Sequence, residues 1–385
     1  MRAFHLYANW KWTGPAEPAV NLAASLRDRG VAVGFACGRS VAGLENEVEG
    51  ALAERDLVPA AGLRLGKHRN PIFDPMDRRA LRRIFEAFRP AVVHCHLPND
   101  HRIGGGAARA MKERPKVVRT LYEGETPKME KDLAALLGPG ADAVLCVSRT
   151  VARELPARAG IPPEKVFFVE GAVDLARFDS RPGLPPLAKE YGIRKEDFVV
   201  GIVARMQKHR RFEQFFDALA LAAARVPSLK VLLVGRGTWM EEVAVKPAAR
   251  SELAGKAIFT GYRRGAEYVD TLRCMSAKVY LTPGSDGSCR AVREVMAVGV
   301  PIVAARRGML PEIVEDGASG LVFEDSPESL AEALVRLASD DALRKRLSKG
   351  ARDAAAARFG LPAQAARVES IYRWLSEGGA RPPTE

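Results

Sequence analysis

The sequence has few features of secreted or membrane-spanning proteins. Its 385 residues include 5 cysteines, an odd number at scattered positions, so a disulfide framework is excluded and a reducing compartment is expected. No apolar run approaches the roughly 18 residues that cross a bilayer. The first residues lack the charged and apolar regions of a secretory signal. We therefore expect a cytoplasmic protein, and contact with a membrane would be peripheral, on its inner face.

Two further shortages bear on chemistry. No Asp-x-Asp pair occurs, so the sequence shows no obvious carboxylate clamp for a divalent metal on a diphosphate, and we expect no metal. Acidic residues number 47 against 59 basic ones, which gives a net charge of +12. This excess favours polyanionic partners, and a solvated basic surface is the alternative. Because no basic and aromatic recognition motif is present, nucleic acid is not an expected partner.

What the sequence does contain is a regular alternation of short apolar runs and longer helix-period stretches. Alternation of this kind predicts parallel sheets with helices on both faces, an α/β fold. About six strands in each half favour two doubly wound domains over one barrel. The expected strands are 2–9, 31–38, 91–96, 116–122, 143–148, 166–170, 198–204, 230–235, 257–261, 278–282, 301–305 and 320–323.

The break between the halves lies at 174–197, where proline, glycine and charged residues predict a linker. A last helical stretch is expected at 362–375. We therefore expect an N-terminal domain at 1–173, a C-terminal domain at 174–361, and a final helix and tail at 362–385.

In open parallel sheets, ligands bind beyond the carboxyl ends of the strands. Two segments stand at such ends in the second half. The loop 204–211 is densely basic, and 283–288 is rich in glycine and precedes a helix, with Asp286 and Glu294 as carboxylates. Cations and a helix N-terminus suit a diphosphate, and carboxylates suit sugar hydroxyls. The alternatives are a solvated helix start for the loop, and an ordinary helix cap with a solvated glutamate.

Two features of the first half also leave alternatives open. His94 and His96 stand at strand spacing with Asp100 and His101 nearby, which would allow a metal site, although the ligand spacing is weak. In the helical stretch 77–89, Arg78, Arg79, Arg82 and Arg83 flank an apolar stripe. It would suit anionic lipid head groups, but a core-facing helix with a basic outer face is the preferred interpretation.

Ordered motifs through the chain then carry a resemblance. They include F-R-P-A-V-V-H-C-H, L-C-V-S-R-T-V-A-R-E-L, V-G-I-V-A-R, L-L-V-G-R-G, E-V-M-A-V-G-V-P-I-V-A and L-P-E-I-V-E-D-G. Together they resemble the retaining glycosyltransferases of family 4 (group 1), over nearly the whole chain. The resemblance implies the GT-B fold, two Rossmann-like domains facing across a cleft. The N-terminal domain would bind the acceptor and the C-terminal domain the nucleotide-sugar, with the last helix crossing back onto the N-terminal domain.

The resemblance implies a metal-independent hexosyl transfer, with retention, from a UDP-linked sugar to a hydroxyl of a glycan or lipid-linked acceptor in cell-envelope glycan biosynthesis. No cofactor is expected, since the nucleotide-diphospho-sugar is a co-substrate. The expected donor-binding residues are Gly14, Arg205, Lys208, Arg210, Gly235, Gly237, Tyr262, Ser285, Asp286, Gly287, Ser288 and Glu294. Those expected to be catalytic are Arg205, Arg210, Asp286, Asp100 and His101. Acceptor-binding residues are expected to be His96, Asp100, Tyr122 and Glu123.

The sequence departs from the family pattern at several of these positions. Asp286 stands where glutamate is usual, Arg210 where lysine is usual, and Tyr122 where a histidine is usual. The alternatives to an active transferase are a nucleotide-sugar-binding protein that has lost transfer, and an epimerase on the same fold.

Overall fold

The computed structural model describes residues 1–179, 181, 183–282 and 289–384. Within these residues the chain forms two compact units. The first unit contains 1–172 together with 361–384, and the second contains 173–282 together with 289–360.

Both units are built from alternating strands and helices. The strands are β1 (Arg2–Tyr7), β2 (Ala32–Cys37), β3 (Val92–Cys95), β4 (Lys116–Leu121), β5 (Ala143–Cys146), β6 (Val166–Phe168), β7 (Phe198–Val203), β8 (Leu229–Val234), β9 (Ala257–Gly261), β10 (Ala277–Tyr280), β11 (Ile302–Ala305) and β12 (Gly320–Phe323). The helices are α1 (Ala16–Asp28), α2 (Glu47–Ala53), α3 (Phe73–Phe88), α4 (Pro98–Arg109), α5 (Lys131–Leu137), α6 (Arg149–Ala159), α7 (Leu187–Glu190), α8 (Phe212–Ala223), α9 (Lys246–Ala248), α10 (Gly265–Arg273), α11 (Arg290–Val298), α12 (Leu310–Ile313), α13 (Pro327–Ser339), α14 (Asp341–Arg358) and α15 (Leu361–Glu377).

The first unit contains a six-stranded parallel sheet in the order β2-β1-β3-β4-β5-β6. Strands β1, β3, β4 and β5 are almost wholly buried, as expected of a sheet covered on both faces. The order reverses between β1 and β3, and this reversal is where a doubly wound sheet places its ligand crevice.

Helix α15 belongs to the first unit. Its buried residues Ala365, Val368 and Ile371 join a core with strand residues such as Ala3 and Val92. The apolar residues recur at helical spacing, so one stripe of the helix is buried in this core.

The second unit contains the other six-stranded parallel sheet, in the order β12-β11-β10-β7-β8-β9. Its order reverses between β7 and β10. Helix α8 buries Phe215, Phe216 and Leu219 in the main core of this unit, which also includes Leu330 and Leu334 of α13. The expectation of two doubly wound, Rossmann-like domains is confirmed.

The basic helix α3 follows the preferred interpretation of its sequence. Leu81 and Phe85 are buried, whereas Arg78, Arg79 and Arg82 are exposed. The apolar stripe therefore belongs to a core of the first unit. Among the described helices, none combines the length and the apolar character that a membrane crossing requires.

Candidate functional site

The strand reversal of the second sheet places the carboxyl end of β7, which the basic loop follows, beside the carboxyl end of β10. The basic loop leaves the carboxyl end of β7, and the segment after β10 leads into α11. Because β7 and β10 are paired neighbours, these ends lie at one edge of the sheet. The expected donor residues Ser285, Asp286, Gly287 and Ser288 lie outside the described residues, so their roles stay predictions.

The cations of the basic loop differ in how their charge is balanced. Lys208 Nζ lies 3.0 Å from a carboxylate oxygen of Glu242 and 4.0 Å from the centre of the Trp239 ring. Arg211 lies 3.2 Å from Asp325 and precedes α8 in a left-handed conformation, with a φ of 59°. These acidic partners offset the cost of placing cations at the start of a helix.

Arg205 differs from these two cations. Its side chain is exposed, and among the described residues it makes no ion pair. Arg210 is half-buried in the short 3-10 turn Lys208–Arg210. Arg205 is therefore the loop cation best placed to meet an anion from solvent.

Two glycines allow the backbone of the loop after β8 to lie directly against the backbone of the loop after β7. A Cβ atom at Gly235 would lie 2.2 Å from the carbonyl oxygen of Ala204, and one at Gly237 would lie 2.2 Å from that of Met206. Gly235 also has a φ of +134°, which side chains rarely adopt. The glycines therefore set the path of the backbone around Arg205. This packing role was not part of the sequence prediction, which gave them a base pocket.

Tyr262, after β9, is 53% exposed. The guanidinium groups of Arg236 and Arg264 lie 5.4 and 5.0 Å from the centre of its ring. The exposed aromatic ring can stack on the base of a nucleotide, and the two cations beside it can attract the nucleotide's negatively charged phosphates.

Glu294 is a buried carboxylate on α11, and only 3% of the residue is exposed. The Tyr268 hydroxyl donates a hydrogen bond to its Oε2 at 2.8 Å, and Arg290 Nε lies 3.1 Å from its Oε1. These contacts fix the carboxylate in one orientation, as a hydroxyl-binding group requires. Tyr268 was missed by the sequence reasoning, since nothing local marks it as a partner of a residue 26 positions away.

In the first unit, the corresponding strand reversal is occupied by buried polar side chains. Asp100 is fully buried, and its Oδ2 accepts hydrogen bonds from the backbone nitrogens of Ala8 at 3.0 Å and Leu97 at 2.9 Å. Burial raises the pKa of Asp100 to about 7, although Arg119 at 3.8 Å opposes this shift. Asp100 thus joins the end of β1 to the start of α4.

His101 is also buried, and its Nε2 lies 3.2 Å from the Gly140 carbonyl oxygen. Burial lowers the pKa of His101 to about 3, so the ring is neutral at physiological pH. This geometry does not support direct contact of either side chain with a substrate, as the expected catalytic roles of both and the expected acceptor binding of Asp100 would require. Both side chains are enclosed by the unit and bonded to its backbone.

The remaining expected residues of this unit lie nearer its surface, apart from His96. Tyr122 is partly exposed after β4, Glu123 is exposed, and Gly14 is partly exposed in the turn after Thr13. His96 is buried, and its Nδ1 lies 2.7 Å from the Tyr122 hydroxyl. The expected acceptor contact of His96 can therefore be made only through Tyr122.

His5, His94 and His96 form the group of metal-ligating side chains found among the described residues, with one ligand atom of each within 4.8 Å of the others. His96 stacks on both neighbours, and its ring centroid lies 4.3 Å from that of His94 with planes 25° from parallel, whereas the His5 and His94 rings are tilted by 45°. Their nitrogens take part in hydrogen bonds, with His5 Nδ1 3.0 Å from His96 Nε2 and His94 Nε2 2.7 Å from the Thr120 hydroxyl. The sequence singled out two of these histidines and missed His5.

Comparisons with known proteins agree with this fold. The family model described as "Glycosyl transferases group 1" matches residues 185–354, and the model described as "Glycosyltransferase Family 4" matches residues 14–177. The chain is 30% identical to the D-inositol 3-phosphate glycosyltransferase of Streptomyces bingchenggensis, over 75% of this chain and 68% of that protein. It is 25% identical to the N-acetyl-alpha-D-glucosaminyl L-malate synthase of Bacillus anthracis, over 73% of this chain and 74% of that protein.

The crystal structure of Anabaena Alr3699/HepE in complex with UDP superposes with a TM-score of 0.80, at 18% identity, over 96% of this chain and 99% of that one. The chain is thus built as a two-unit, doubly wound α/β protein of the GT-B class. It belongs to the group 1 glycosyl transferases of family 4, and it is a glycosyltransferase.

Proposed function

We propose that the protein transfers a hexose from a UDP-linked sugar to a hydroxyl of a glycan or lipid-linked acceptor, with retention of anomeric configuration and without a metal or other cofactor. One observation carries the proposal. At the strand reversal of the second sheet, the exposed Arg205 shares an edge with the helix that holds the fixed carboxylate of Glu294. A diphosphate and a ribose are the groups that a cation and an oriented carboxylate would recognise.

The donor would lie across the carboxyl end of this sheet. Arg205 and Arg210 would neutralise the diphosphate, with Lys208 as a further cation. Glu294 would accept hydrogen bonds from the ribose hydroxyls, and Tyr262 would line the base pocket beside Gly235 and Gly237. The structure of Anabaena HepE is described with UDP bound, which supports a uridine diphosphate in this fold. Asp286 remains assigned from the sequence motif alone.

The proposed reaction breaks the bond between the anomeric carbon and the diphosphate oxygen, and the electron pair leaves with that oxygen. The acceptor oxygen forms the new bond on the same face of the sugar, and its proton passes to the departing phosphate. Fixed cations next to the leaving oxygen would stabilise its developing charge, which is usually the largest contribution to catalysis. Arg205 would supply most of this effect.

The acceptor would be bound by the first unit, with Tyr122 and Glu123 as its surface side chains. The names of the two relatives contain anionic compounds, inositol 3-phosphate and malate. Because this chain carries a net charge of +12, an acceptor with a negative group, or one embedded in an anionic membrane, would be attracted to it. The exposed arginines of α3 would serve this attraction at the inner face of a cytoplasmic membrane.

Calorimetry with UDP, ADP and GDP, in buffer containing EDTA, tests the donor assignment. We expect UDP to bind most tightly and EDTA to leave the affinity unchanged. Reaction with a panel of UDP-sugars, followed by NMR of the anomeric proton, then distinguishes retention from inversion. An epimerised UDP-sugar as the product, or tighter binding of ADP or GDP than of UDP, would contradict the proposal.

A further inference from the structure

One face of the first sheet changes from apolar to polar toward the carboxyl ends of its strands. Alternate residues of a strand share a face, so β1 presents Ala3 and then His5, while β3 presents Val92 and then His94. The register pairs His5 with His94 across the two strands. Helix α15 packs on this face, and its Tyr372 is buried among the polar groups.

These groups form a connected set of hydrogen bonds that ends at Tyr122, a partly exposed residue. His96 Nδ1 lies 2.7 Å from the Tyr122 hydroxyl, and His96 Nε2 lies 3.0 Å from His5 Nδ1. The Tyr372 hydroxyl lies 3.5 Å from His5 Nε2 and 2.5 Å from His94 Nδ1. The chain from the surface inward is Tyr122, His96, His5, Tyr372, His94 and Thr120, with His94 Nε2 2.7 Å from the Thr120 hydroxyl.

The protonation of the rings makes this set self-consistent. Burial lowers the pKa of His5 to about 3, and it lowers the pKa values of His94 and His96 well below the ordinary value. Each ring is therefore neutral, with one N–H donor and one accepting nitrogen. If Tyr122 donates to His96, every later group can donate to the next one. The set is satisfied without a metal ion, and it fixes the direction of the Tyr122 hydroxyl.

We propose that Tyr122 contacts the acceptor hydroxyl, and that His96, held by His5, is a positioning residue that orients the Tyr122 phenol for this contact. The inference rests on the proposed function. A phenol that donates to a buried neutral imidazole has a more strongly accepting oxygen, because linked hydrogen bonds polarise one another. The Tyr122 oxygen would then accept a hydrogen bond from the acceptor hydroxyl. His96 acts through Tyr122, because it is itself buried.

Two substitutions of His96 separate its two contacts. The side-chain amide of asparagine lies near the position of Nδ1, so His96→Asn keeps a partner for Tyr122. The amide of glutamine lies near Nε2, so His96→Gln keeps a partner for His5 and removes that of Tyr122. The probe reactions are transfer from UDP-glucose to D-inositol 3-phosphate, and hydrolysis of UDP-glucose, in which water is the acceptor. UDP affinity and the melting temperature are measured for each variant.

We expect His96→Gln to lower the rate of the probe reaction by about tenfold, the size of one lost hydrogen bond. The rate is kcat/KM for the acceptor in the transfer reaction, and the rate of UDP-glucose cleavage in the hydrolysis reaction. His96→Asn should stay within about twofold of the original protein, and UDP affinity should not change in either variant. In a Tyr122→Phe background, His96→Gln should cause no further loss, because the two side chains act as one unit.

Equal losses in the two His96 variants, or a loss by His96→Gln that persists without the Tyr122 hydroxyl, would overturn the positioning role. If His96→Gln does not fold, Tyr122→Phe decides the matter. It must lower the probe rate about tenfold while UDP affinity is kept, and an unchanged rate rejects the inference. Failure of the unsubstituted protein to bind UDP would instead reject the proposed function, and the inference with it. That result is recognised without any variant.

Discussion

Each of the two units contains its own doubly wound sheet. The side chains at the strand reversal are buried in the first unit and exposed in the second. In the first unit the crevice residues Asp100, His96 and His101 are buried and bonded to neighbouring groups of the same unit. In the second unit, Arg205 and Tyr262 are exposed at the corresponding edge. The same topology therefore encloses neutral imidazoles in one unit and presents cations to solvent in the other.

This contrast shows what the sheet itself decides. A parallel sheet fixes where the carboxyl ends of the strands lie, and the residues there determine whether the edge is filled or open. Histidines on alternate strand positions fill it, because they bond to one another under α15. Glycines such as Gly235 and Gly237 open a path for backbone, because a side chain at either position would clash with the neighbouring loop.

The largest expected effect is the loss of folding stability at low pH, which we expect to arise from the buried histidines of the first unit. In the folded first unit the pKa values of His5, His94, His96 and His101 are all lowered by burial. The unfolded chain therefore binds protons below about pH 6.5 that the folded chain does not bind. Stability is full above that pH and falls as the pH decreases, by about 1.4 kcal/mol per pH unit for each histidine and by roughly 5.6 kcal/mol per pH unit for all four.

The pKa of Asp100 works in the opposite direction. Because burial raises this pKa to about 7, the protonated carboxyl adds stability as the pH falls from 7 toward 4, but one carboxyl cannot offset four imidazoles. Urea unfolding between pH 7.5 and 5 measures the balance. Since Asp100 offsets one of the four histidines, His94→Gln should remove about a third of the net slope, whereas His209→Gln, at an exposed histidine of the second unit, should leave it unchanged. A urea midpoint that does not fall with pH would contradict the enclosed, neutral histidines.

The next effect tests the open edge of the second unit. Arg205→Ala should lower kcat by about 100- to 1000-fold, the cost of removing one preorganised charge from a leaving oxygen. The melting temperature should be unchanged, because the side chain is exposed. Turnover of a UDP-sugar and thermal melting measure the two quantities. Arg346→Ala, at an exposed arginine of α14, is the matched control, and equal activity of the two variants would refute the role of Arg205.

The sequence predicted the scaffold well and the environments of single side chains poorly. All twelve expected strands correspond to strands of the structure, because near-continuous apolar runs between helical stretches are a strong local signal. The expected helix at 362–375 is α15, Leu361–Glu377. Burial at the carboxyl ends was not predictable in this way. Asp100 and His101 stand at the start of a helix after a strand, as catalytic residues often do, and only the packing shows that both are enclosed.

Partners distant in the sequence were also out of reach. His5 lies 89 positions from His94, and Tyr372 lies 278 positions from it, so no local pattern could join them. The ion pairs of Lys208 with Glu242 and of Arg211 with Asp325 likewise depend on tertiary structure. From the sequence, the family resemblance alone distinguished Arg205 and Arg210 from the other cations of the basic loop. The structure separates Arg205 from Lys208 and Arg211, whose charges are already balanced.

The smallest expected effect is on the affinity for UDP. It concerns Glu294, a buried carboxylate in the unit whose strand ends otherwise present exposed side chains. Tyr268→Phe removes the hydroxyl that donates to Glu294 Oε2 and leaves Arg290 as a partner on the other oxygen. Since a single hydrogen bond contributes about 1 kcal/mol, the Kd for UDP should rise about fivefold, with little change in kcat. Tyr191→Phe is the control, because the Tyr191 hydroxyl bonds to Thr271 and Arg263 in the same unit and not to Glu294. Calorimetry with UDP measures both variants. If they bind UDP equally well, the orientation of Glu294 does not depend on the Tyr268 hydroxyl.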